Sequence, residues 1–430
     1  MLRYLGLAIS KVQYFTITNT VGISSKHAFK LDQPILRKDF LPRIVPSSCC
    51  FRNQSISSQI YTTTSYSASS RYRGTISTKR AMSDQTNFKA DEESLLSEKY
   101  KPRELSVKTP YGHIALMEWG QSDAPYKIFC SHGWLDNAGS FERLIPFILD
   151  YKDNSTKYHI VAMDMPGVGH SSHKPPGGEY TPLSIVMEMR RVLQHLGWNK
   201  VTLLSHSLGS HVSFFYSAIY PEQTETMVSI DLTHPITRHL HNWNVTIASS
   251  IEDHFKAEYN QQDNDPTTDI RVPVYSETDA LKRLMDAHSS SLTLESAKVL
   301  LKRGATKQSW GYTFNRDARW RSLSLEFRPD DDMMLKLLQN TFKPNLFIIK
   351  ADKSPYHRPE EIRMQYYKIF EKNCRIFRET MLEGTHHLHM NTPKPVATAI
   401  CEFLDLVRNN GDKKVPITTE GTVNMNKSNL

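Results

Sequence analysis

The sequence has few cysteines, no long apolar run and no repeated unit. Its five cysteines among 430 residues are too few, and odd in number, for a disulfide framework, which favours a reducing compartment. No apolar run reaches the ~18 residues needed to cross a bilayer, so we expect no transmembrane segment. No period of roughly 20 to 50 residues recurs, which excludes a solenoid.

The positive charge of the chain is concentrated in its first 82 residues. The whole chain carries a formal charge of +8, but residues 1–82 contain twelve Lys or Arg against two Asp, a surplus of ten. The rest of the chain therefore carries a formal charge of −2. Because a basic surface is the electrostatic signature of nucleic-acid binding, we expect no nucleic-acid partner for this larger part.

Residues 1–82 have the composition of a mitochondrial transit peptide. They are rich in Ser, Thr and Arg, and they open with apolar residues interleaved with Arg3 and Lys11 rather than with the unbroken apolar core of a secretory signal. A disordered N-terminus without a targeting role is the alternative. A start at Met82 would give a cytoplasmic form, and the C-terminal Ser428-Asn429-Leu430 is a loose relative of the peroxisomal S-K-L signal.

Strand-like and helix-like segments alternate through the larger part of the chain. An alternating segment with a turn at Pro110-Tyr111-Gly112 predicts an initial antiparallel hairpin. Short apolar runs separated by segments of helical spacing then predict buried strands at 127–130, 158–163, 201–204, 227–230 and 345–350. This alternation predicts the α/β fold class, with a mostly parallel sheet and right-handed crossovers.

The alternation stops between residues 234 and 344, which are polar and favour helix. A helical cap inserted over the site would account for this segment. The alternative is a long surface loop, but such loops are uncommon in compact domains. We therefore expect the following order of parts: a basic, disordered leader (1–82), a linker (83–104), the first part of the core (105–233), a helical cap (234–344), the second part of the core (345–408) and a polar tail (409–430).

A serine ends the apolar run at 201–204, within Ser205-His206-Ser207-Leu208-Gly209. A nucleophile on a sharp strand-to-helix turn occupies strained backbone, often of positive φ, and the strand and helix crowd the positions two residues away on either side. Small residues are needed there, although Ser205 replaces the first glycine of the usual G-x-S-x-G pattern. This pattern also occurs by chance, but here it predicts Ser207 as a nucleophile.

A further strand is predicted near 375–381, and a cluster of three histidines follows it, in the sequence Gly384-Thr385-His386-His387-Leu388-His389. We select His386 as the general base because it lies nearest the end of the strand. The cluster also suggests a metal, but zinc sites usually need a further Cys, His or carboxylate at set spacing. We therefore predict no metal and no organic cofactor, and we interpret His387 as packed and His389 as solvated.

Two carboxylates compete to orient the base. Asp231 ends the strand after the predicted elbow helix, and Asp352 follows the later strand at 345–350. Either carboxylate is also suited to capping a loop or helix. For the oxyanion, the candidate donors are the backbone N–H groups of Leu208 and Trp134, because backbone donors are fixed in place before charge develops.

These motifs together resemble the α/β-hydrolase superfamily over positions 100–408. The resemblance rests on four motifs in the family's order: His132-Gly133-Trp134-Leu135-Asp136-Asn137, Asp164-Met165-Pro166-Gly167-Val168-Gly169-His170-Ser171, the serine elbow at 205–209 and Gly384-Thr385-His386. Within the superfamily, the first motif, the elbow and the histidine cluster resemble the serine hydrolase-like proteins of animals, the kraken-type group.

The resemblance implies that Ser207 is the nucleophile and His386 the base, since the spacing of seven residues to Pro393 selects this histidine. Members with a Gly-x-x-Asp after the penultimate strand would place Ser354 in the acid position. Other relatives carry the acid after the strand that follows the elbow helix, where Asp231 lies. We therefore prefer Asp231, with Asp352 as the alternative. Dehalogenases and epoxide hydrolases use an aspartate nucleophile, so a serine argues against both chemistries.

The predicted activity is hydrolysis of a carboxylic ester or related acyl substrate through a Ser-His-Asp triad and an acyl-enzyme. Two alternatives stay open. One is a lipid or acyl-thioester hydrolase with the same mechanism, and the other is a non-catalytic binding protein of the hydrolase fold, because such proteins often lack the acid after the penultimate strand. The expected partner is a small acyl substrate, and the sequence sets neither its identity nor the oligomeric state.

Overall fold

The computed structural model describes residues 92–237, 243–262, 273–325, 329–411 and 413–415. The predicted leader (1–82), most of the polar tail and the C-terminal tripeptide lie outside the described residues. Among the described residues, no helix is both long enough and apolar enough to cross a membrane.

Within the described ranges, ten strands form two sheets. Their bounds are β1 (Arg103–Thr109), β2 (Gly112–Gly120), β3 (Tyr126–Ser131), β4 (Tyr158–Met163), β5 (Val201–His206), β6 (Thr224–Ile230), β7 (Ala305–Gln308), β8 (Gly311–Phe314), β9 (Asn345–Ala351) and β10 (Phe377–Leu382). The main sheet has the order β1-β2-β4-β3-β5-β6-β9-β10. The β1–β2 and β2–β4 pairs are antiparallel and the other pairs are parallel, which confirms the predicted α/β fold class.

Helices connect the parallel strands, because two parallel neighbours need a crossover connection rather than a tight turn. They comprise α1 (92–99), α2 (Ile145–Asp150), α3 (Pro182–His195), α4 (Leu208–Ile219), α5 (Trp243–Gln262), α6 (Glu277–Ala287), α7 (Leu294–Gly304), α8 (Asp331–Thr341), α9 (Glu360–Asn373), α10 (Leu388–Asn391) and α11 (Pro393–Asn410). Several begin where a side chain accepts a hydrogen bond from a first-turn amide, as Thr181 does for α3 and Asp330 for α8.

The main sheet is buried on both faces, which explains the unbroken apolar runs of its central strands. Successive residues of a strand point to opposite faces, so Leu203 of β5 packs in one apolar cluster with Phe214 of α4. The next residue, Leu204, packs in a second cluster with Ile400 of α11. Because the central strands are parallel, their carboxyl ends meet at one edge of the sheet, where ligands bind in open α/β sheets.

The segment predicted as a helical cap contains more than helices. It includes α5, α6 and α7, a short 3-10 segment (Ala318–Leu325), and the antiparallel hairpin β7–β8. The hairpin strands are short, and their residues do not alternate between buried and exposed, so the sequence carries no period-two signal for them. Its last helix, α8, packs into the core through Met334 and Leu338, because these side chains join the cluster that contains Phe214.

Candidate active site

Ser207 lies on the turn between β5 and α4, with φ 50° and ψ −115°. This is a sparsely populated conformation for a residue with a side chain, and it persists only where the surroundings enforce it. Gly209 is one such constraint, because a Cβ there would lie 2.0 Å from the backbone oxygen of Ser131. On the other side, Ser205 has room for its hydroxyl, which lies 2.6 Å from the Ser213 hydroxyl. Ser205 therefore fits at the position where the usual pattern has a glycine.

His386 joins Ser207 to Asp231 in one hydrogen-bonded chain. Its Nδ1 lies 2.6 Å from Asp231 Oδ2, and its Nε2 lies 2.8 Å from Ser207 Oγ. A carboxylate only accepts hydrogen bonds, so the Nδ1–H donates to Asp231. The neutral ring then leaves Nε2 as the acceptor of the Ser207 hydroxyl proton. This arrangement can abstract a proton from the serine.

The two predicted carboxylates occupy different positions relative to His386. Asp231 follows β6 with a positive φ of 53° and is buried. It also accepts hydrogen bonds from the backbone amide of Ala351 (2.9 Å) and from the hydroxyl of Ser354 (2.5 Å). Burial raises the pKa of Asp231, but the hydrogen bond from His386 and these two donors together hold the pKa below its ordinary value. Ser354, which the resemblance places in the usual acid position, therefore donates a hydrogen bond to Asp231.

Asp352 is exposed and lies outside the hydrogen-bonded chain of Ser207. Its carboxylate accepts a hydrogen bond from the backbone amide of Gly384 (2.8 Å), and the amide of Lys353 donates to the Gly384 carbonyl (3.0 Å). These bonds connect the loop after β9 to the loop that carries His386. Asp352 thus caps a loop, which was the other role considered for it.

The two predicted oxyanion donors come from different segments, Leu208 from the start of α4 and Trp134 from the loop after β3. Leu208 is the first residue of α4, so its amide lies in the first turn, where N–H groups have no acceptor within the helix. Trp134 lies in the loop after β3 and lines the same cavity as Ser207. The neighbouring amide of Gly133 is occupied, because it donates to Asp136 Oδ2 (3.2 Å). The next backbone amide along this loop is that of Trp134, which remains the candidate donor.

A buried carboxylate, Asp136, lies behind His386 and was not singled out from the sequence. Its Oδ2 lies 3.3 Å from His206 Nδ1, and its Oδ1 lies 3.3 Å from His387 Nε2. His206 in turn donates from Nε2 to the backbone carbonyl of His386 (2.9 Å). Burial raises the pKa of Asp136, but His387 and His206 outweigh it and hold the pKa well below the usual range. Its presence in the H-G-W-L-D-N motif was the available signal.

The other two histidines of the predicted cluster are both buried. His387 was interpreted as packed, and it is. His389 was interpreted as solvated, which is wrong, because its ring is fully buried and its Nε2 lies 2.8 Å from the Ser140 hydroxyl. Burial holds the pKa of His389 well below its ordinary value, so this ring is neutral.

Within the described ranges, Asp136, His288 and His387 are a set that could hold a metal ion, since their ligand atoms lie within 4.8 Å of one another. His288 follows α6, and its buried Nε2 has no hydrogen-bond partner. Burial lowers the pKa of His288 to about 4, so the ring is neutral. No spacing in the sequence marks this set, because the three residues come from segments that are far apart in the chain. That the protein uses no metal stays a prediction.

A cavity of about 510 Å³ opens onto Ser207. Its walls come from the sheet edge, from the end of α6 (Ala287 and His288) and from the loop 355–359. Pockets for small molecules typically enclose roughly 300–1,000 Å³ and combine apolar walls with a few polar groups. This cavity has the size for a small acyl substrate.

Comparison with protein families gives a match to the family described as the alpha/beta hydrolase fold, over residues 127–364. The chain belongs to the α/β-hydrolase family. The match includes the elbow serine and Asp231 and ends before His386, which the structure brings to the same site. The predicted resemblance to this superfamily is thereby confirmed.

Among curated relatives, this α/β-hydrolase is similar to the serine hydrolase-like protein 2 of Homo sapiens, with 31% identity over 70% of this chain and 93% of that protein. It is 28% identical to a probable serine hydrolase of Drosophila melanogaster, over 75% of this chain and 94% of the relative. These similarities confirm the predicted resemblance to the serine hydrolase-like proteins of animals.

Solved structures show the same fold. A hypothetical protein from Pseudomonas aeruginosa PAO1 superposes with a TM-score of 0.58 at 25% identity, covering 71% of this chain and 99% of that one. The thioesterase domain from the curacin biosynthetic pathway has a TM-score of 0.54 at 21% identity and covers 70% of this chain and 99% of its own. The second similarity concerns the fold alone.

Proposed function

We propose that this α/β-hydrolase cleaves a carboxylic ester or a related acyl substrate through a covalent acyl-enzyme. The observation that carries the proposal is the chain of hydrogen bonds from Ser207 Oγ to His386 Nε2 (2.8 Å) and from His386 Nδ1 to Asp231 Oδ2 (2.6 Å). A serine activated by an oriented histidine is the arrangement that acyl transfer needs.

In the first half-reaction, Ser207 Oγ attacks the substrate carbonyl carbon while its proton passes to His386 Nε2. Asp231 orients the ring and stabilises the imidazolium. The backbone N–H groups of Leu208 and Trp134 hold the oxyanion of the tetrahedral intermediate. As this intermediate collapses, the bond to the leaving group breaks, and His386 returns its proton to that group. An ester now joins the acyl group to Ser207.

In the second half-reaction, water attacks this ester while His386 takes one of its protons. The second tetrahedral intermediate collapses with release of the carboxylic acid, and the proton on His386 returns to Ser207 Oγ. The electrostatics of the site support this use of His386. Burial holds its pKa below the ordinary 6.5 despite the opposing effect of Asp231, so the ring is neutral and ready to accept a proton near pH 7.

A fluorophosphonate probe tests the proposal, because it phosphonylates only activated serines. The full-length chain should be labelled at Ser207, and Ser207→Ala should abolish that labelling. Ser122→Ala is the matched control, since Ser122 is an exposed serine outside the site, and this variant should be labelled like the wild type. A folded wild type that is not labelled at Ser207 would favour the alternative of a non-catalytic binding protein.

A further inference from the structure

A second cavity, of about 240 Å³, adjoins the active-site cavity. The two cavities share Trp134, which lines both. Its indole Nε1 donates to the backbone carbonyl of Trp320 (3.3 Å), so the side chain is fixed between the β3 loop and the 3-10 segment of the cap. Trp134 therefore lies at the border between the two cavities.

Three arginines line the second cavity: Arg283, Arg316 and Arg321. In the part of the chain that the structure describes, none of them forms an ion pair. The cavity also contains Asp317, but that carboxylate is already paired with Arg319 at 2.7 Å, and both side chains are buried. The second cavity therefore has an excess of positive charge.

Two of the three guanidinium groups lie over aromatic rings. Arg316 lies over the ring of Phe314 (5.0 Å to its centroid), and Arg283 lies over the ring of Tyr275 (4.7 Å). Arg316 is partly buried, and its pKa is lowered by burial and by the like charges of Arg321 and Arg283. Gathering like charges in a partly desolvated cavity costs free energy, which a bound anion would offset.

We propose that the second cavity binds a carboxylate or phosphate group carried by the acyl substrate, away from the carbonyl that Ser207 attacks. This inference rests on the proposed function, because Trp134 connects the two sites: its backbone N–H is a proposed oxyanion donor, and its indole lines the arginine cavity. Guanidinium groups match carboxylate and phosphate oxygens in planar, often bidentate geometry, which is the chemistry that would recognise either anion.

Matched substrates distinguish the two sources of the anion. For a carboxylate, mono-4-nitrophenyl glutarate is compared with uncharged 4-nitrophenyl pentanoate. For a phosphate, butyryl-coenzyme A is compared with the butyryl thioester of N-acetylcysteamine, which has no phosphate. The wild type should have the higher kcat/KM for the charged member of at least one pair, and that pair identifies the source. No preference for the charged member of either pair would overturn the proposal.

Arg316→Gln tests whether this preference comes from the second cavity. Loss of a charge-assisted contact typically weakens binding about tenfold to hundredfold, so the charged-to-uncharged ratio of kcat/KM should fall by about that factor, mainly through KM. Arg316→Lys, which keeps the charge, should restore part of the ratio. Lys298→Gln is the matched control, because it removes an exposed positive charge from α7 outside the cavity, and its ratio should equal that of the wild type. An unchanged ratio in Arg316→Gln would contradict the proposal.

A binding measurement tests the same cavity without turnover. Full-length Ser207→Ala is titrated by calorimetry with glutarate and with coenzyme A. Saturable binding of either, weakened by adding Arg316→Gln but not by adding Lys298→Gln, supports the proposal, and the absence of binding to both overturns it. The proposed function is tested separately by fluorophosphonate labelling of Ser207, which requires no anionic group. If Ser207 is labelled but the enzyme does not prefer the charged substrates, the proposed anion site is rejected and the proposed function is not.

Discussion

Asp231 and Asp352 differ in what their carboxylates contact. Asp231 is buried and contacts His386 directly, whereas Asp352 is exposed and accepts from a backbone amide. We expect Asp231→Asn to lower kcat for a short-chain aryl ester by about 10³–10⁴, because the amide favours the wrong tautomer of the ring. Asp352→Asn should lower it far less. A larger loss at Asp352 would show that the acid is assigned to the wrong residue.

The lowered pKa of His386 determines how we expect kcat/KM to depend on pH in the acidic range. As the base, His386 must be neutral, and burial places its pKa below 6.5, so kcat/KM should rise with pH through that depressed value and be level near neutrality. Asp231 opposes this depression, since it stabilises the charged ring. In Asp231→Asn, the inflection in the pH profile of the residual kcat/KM should therefore lie at a still lower pH. A wild-type inflection above 6.5 would contradict the assignment of His386.

At the scale of elements, Asp136 connects the loop after β3, the end of β5 and the loop after β10 through Gly133, His206 and His387. Asp136→Ala would leave these buried groups without their acceptor. We expect a loss of about 3–5 kcal/mol in the free energy of unfolding, measured by urea denaturation at pH 7. Asp123→Ala, at an exposed aspartate, is the control and should leave stability within about 0.5 kcal/mol of wild type.

The stabilising effect of Asp136 also has a pH dependence. Because the folded pKa lies well below 3.8, the carboxylate stabilises the protein at pH values above 3.8, and this contribution is lost as pH falls through the folded value. The difference in stability between wild type and Asp136→Ala should therefore persist through the mildly acidic range. A difference that disappears between pH 7 and 5 would contradict the depressed pKa.

Helix α8 belongs to the core rather than to the cap, although the sequence grouped it with residues 234–344. Leu338 is fully buried in the cluster that also contains Phe214, whereas Met333 of the same helix is exposed. Leu338→Ala should lower the free energy of unfolding by about 2–5 kcal/mol, and Met333→Ala should have little effect. Equal effects of the two substitutions in thermal or urea denaturation would place α8 outside the core.

For the whole molecule, the sequence was informative where local rules act. Buried parallel strands are continuous apolar runs, and the small residues around Ser207 mark a sharp turn, so the sheet and the elbow could be predicted. Asp231 could be preferred only through the resemblance to relatives with the acid after the strand that follows the elbow helix, because the usual acid position holds Ser354. Its hydrogen bond to Asp231 becomes visible only when β6 and β9 pair.

Other features depend on residues that are far apart in the chain. His288 Nε2 lies 3.6 Å from Asp136 Oδ1 because the residue that follows α6 approaches the loop after β3, and no spacing in the sequence encodes that contact. The three arginines of the second cavity come from α6 and from the segment after β8, so they do not form a basic run. The hairpin β7–β8 was missed because its short strands lack a periodic apolar pattern. Tertiary packing, rather than local preference, places these groups.

The most direct test of the account is to isolate the acyl-enzyme. The full-length chain is mixed with 4-nitrophenyl acetate, quenched in acid within milliseconds, digested and measured by mass spectrometry. The account predicts one acetyl group on Ser207, formed with a burst of nitrophenol and absent from Ser207→Ala. Ester turnover with no acetyl group on Ser207, or a burst that persists in Ser207→Ala, would contradict it.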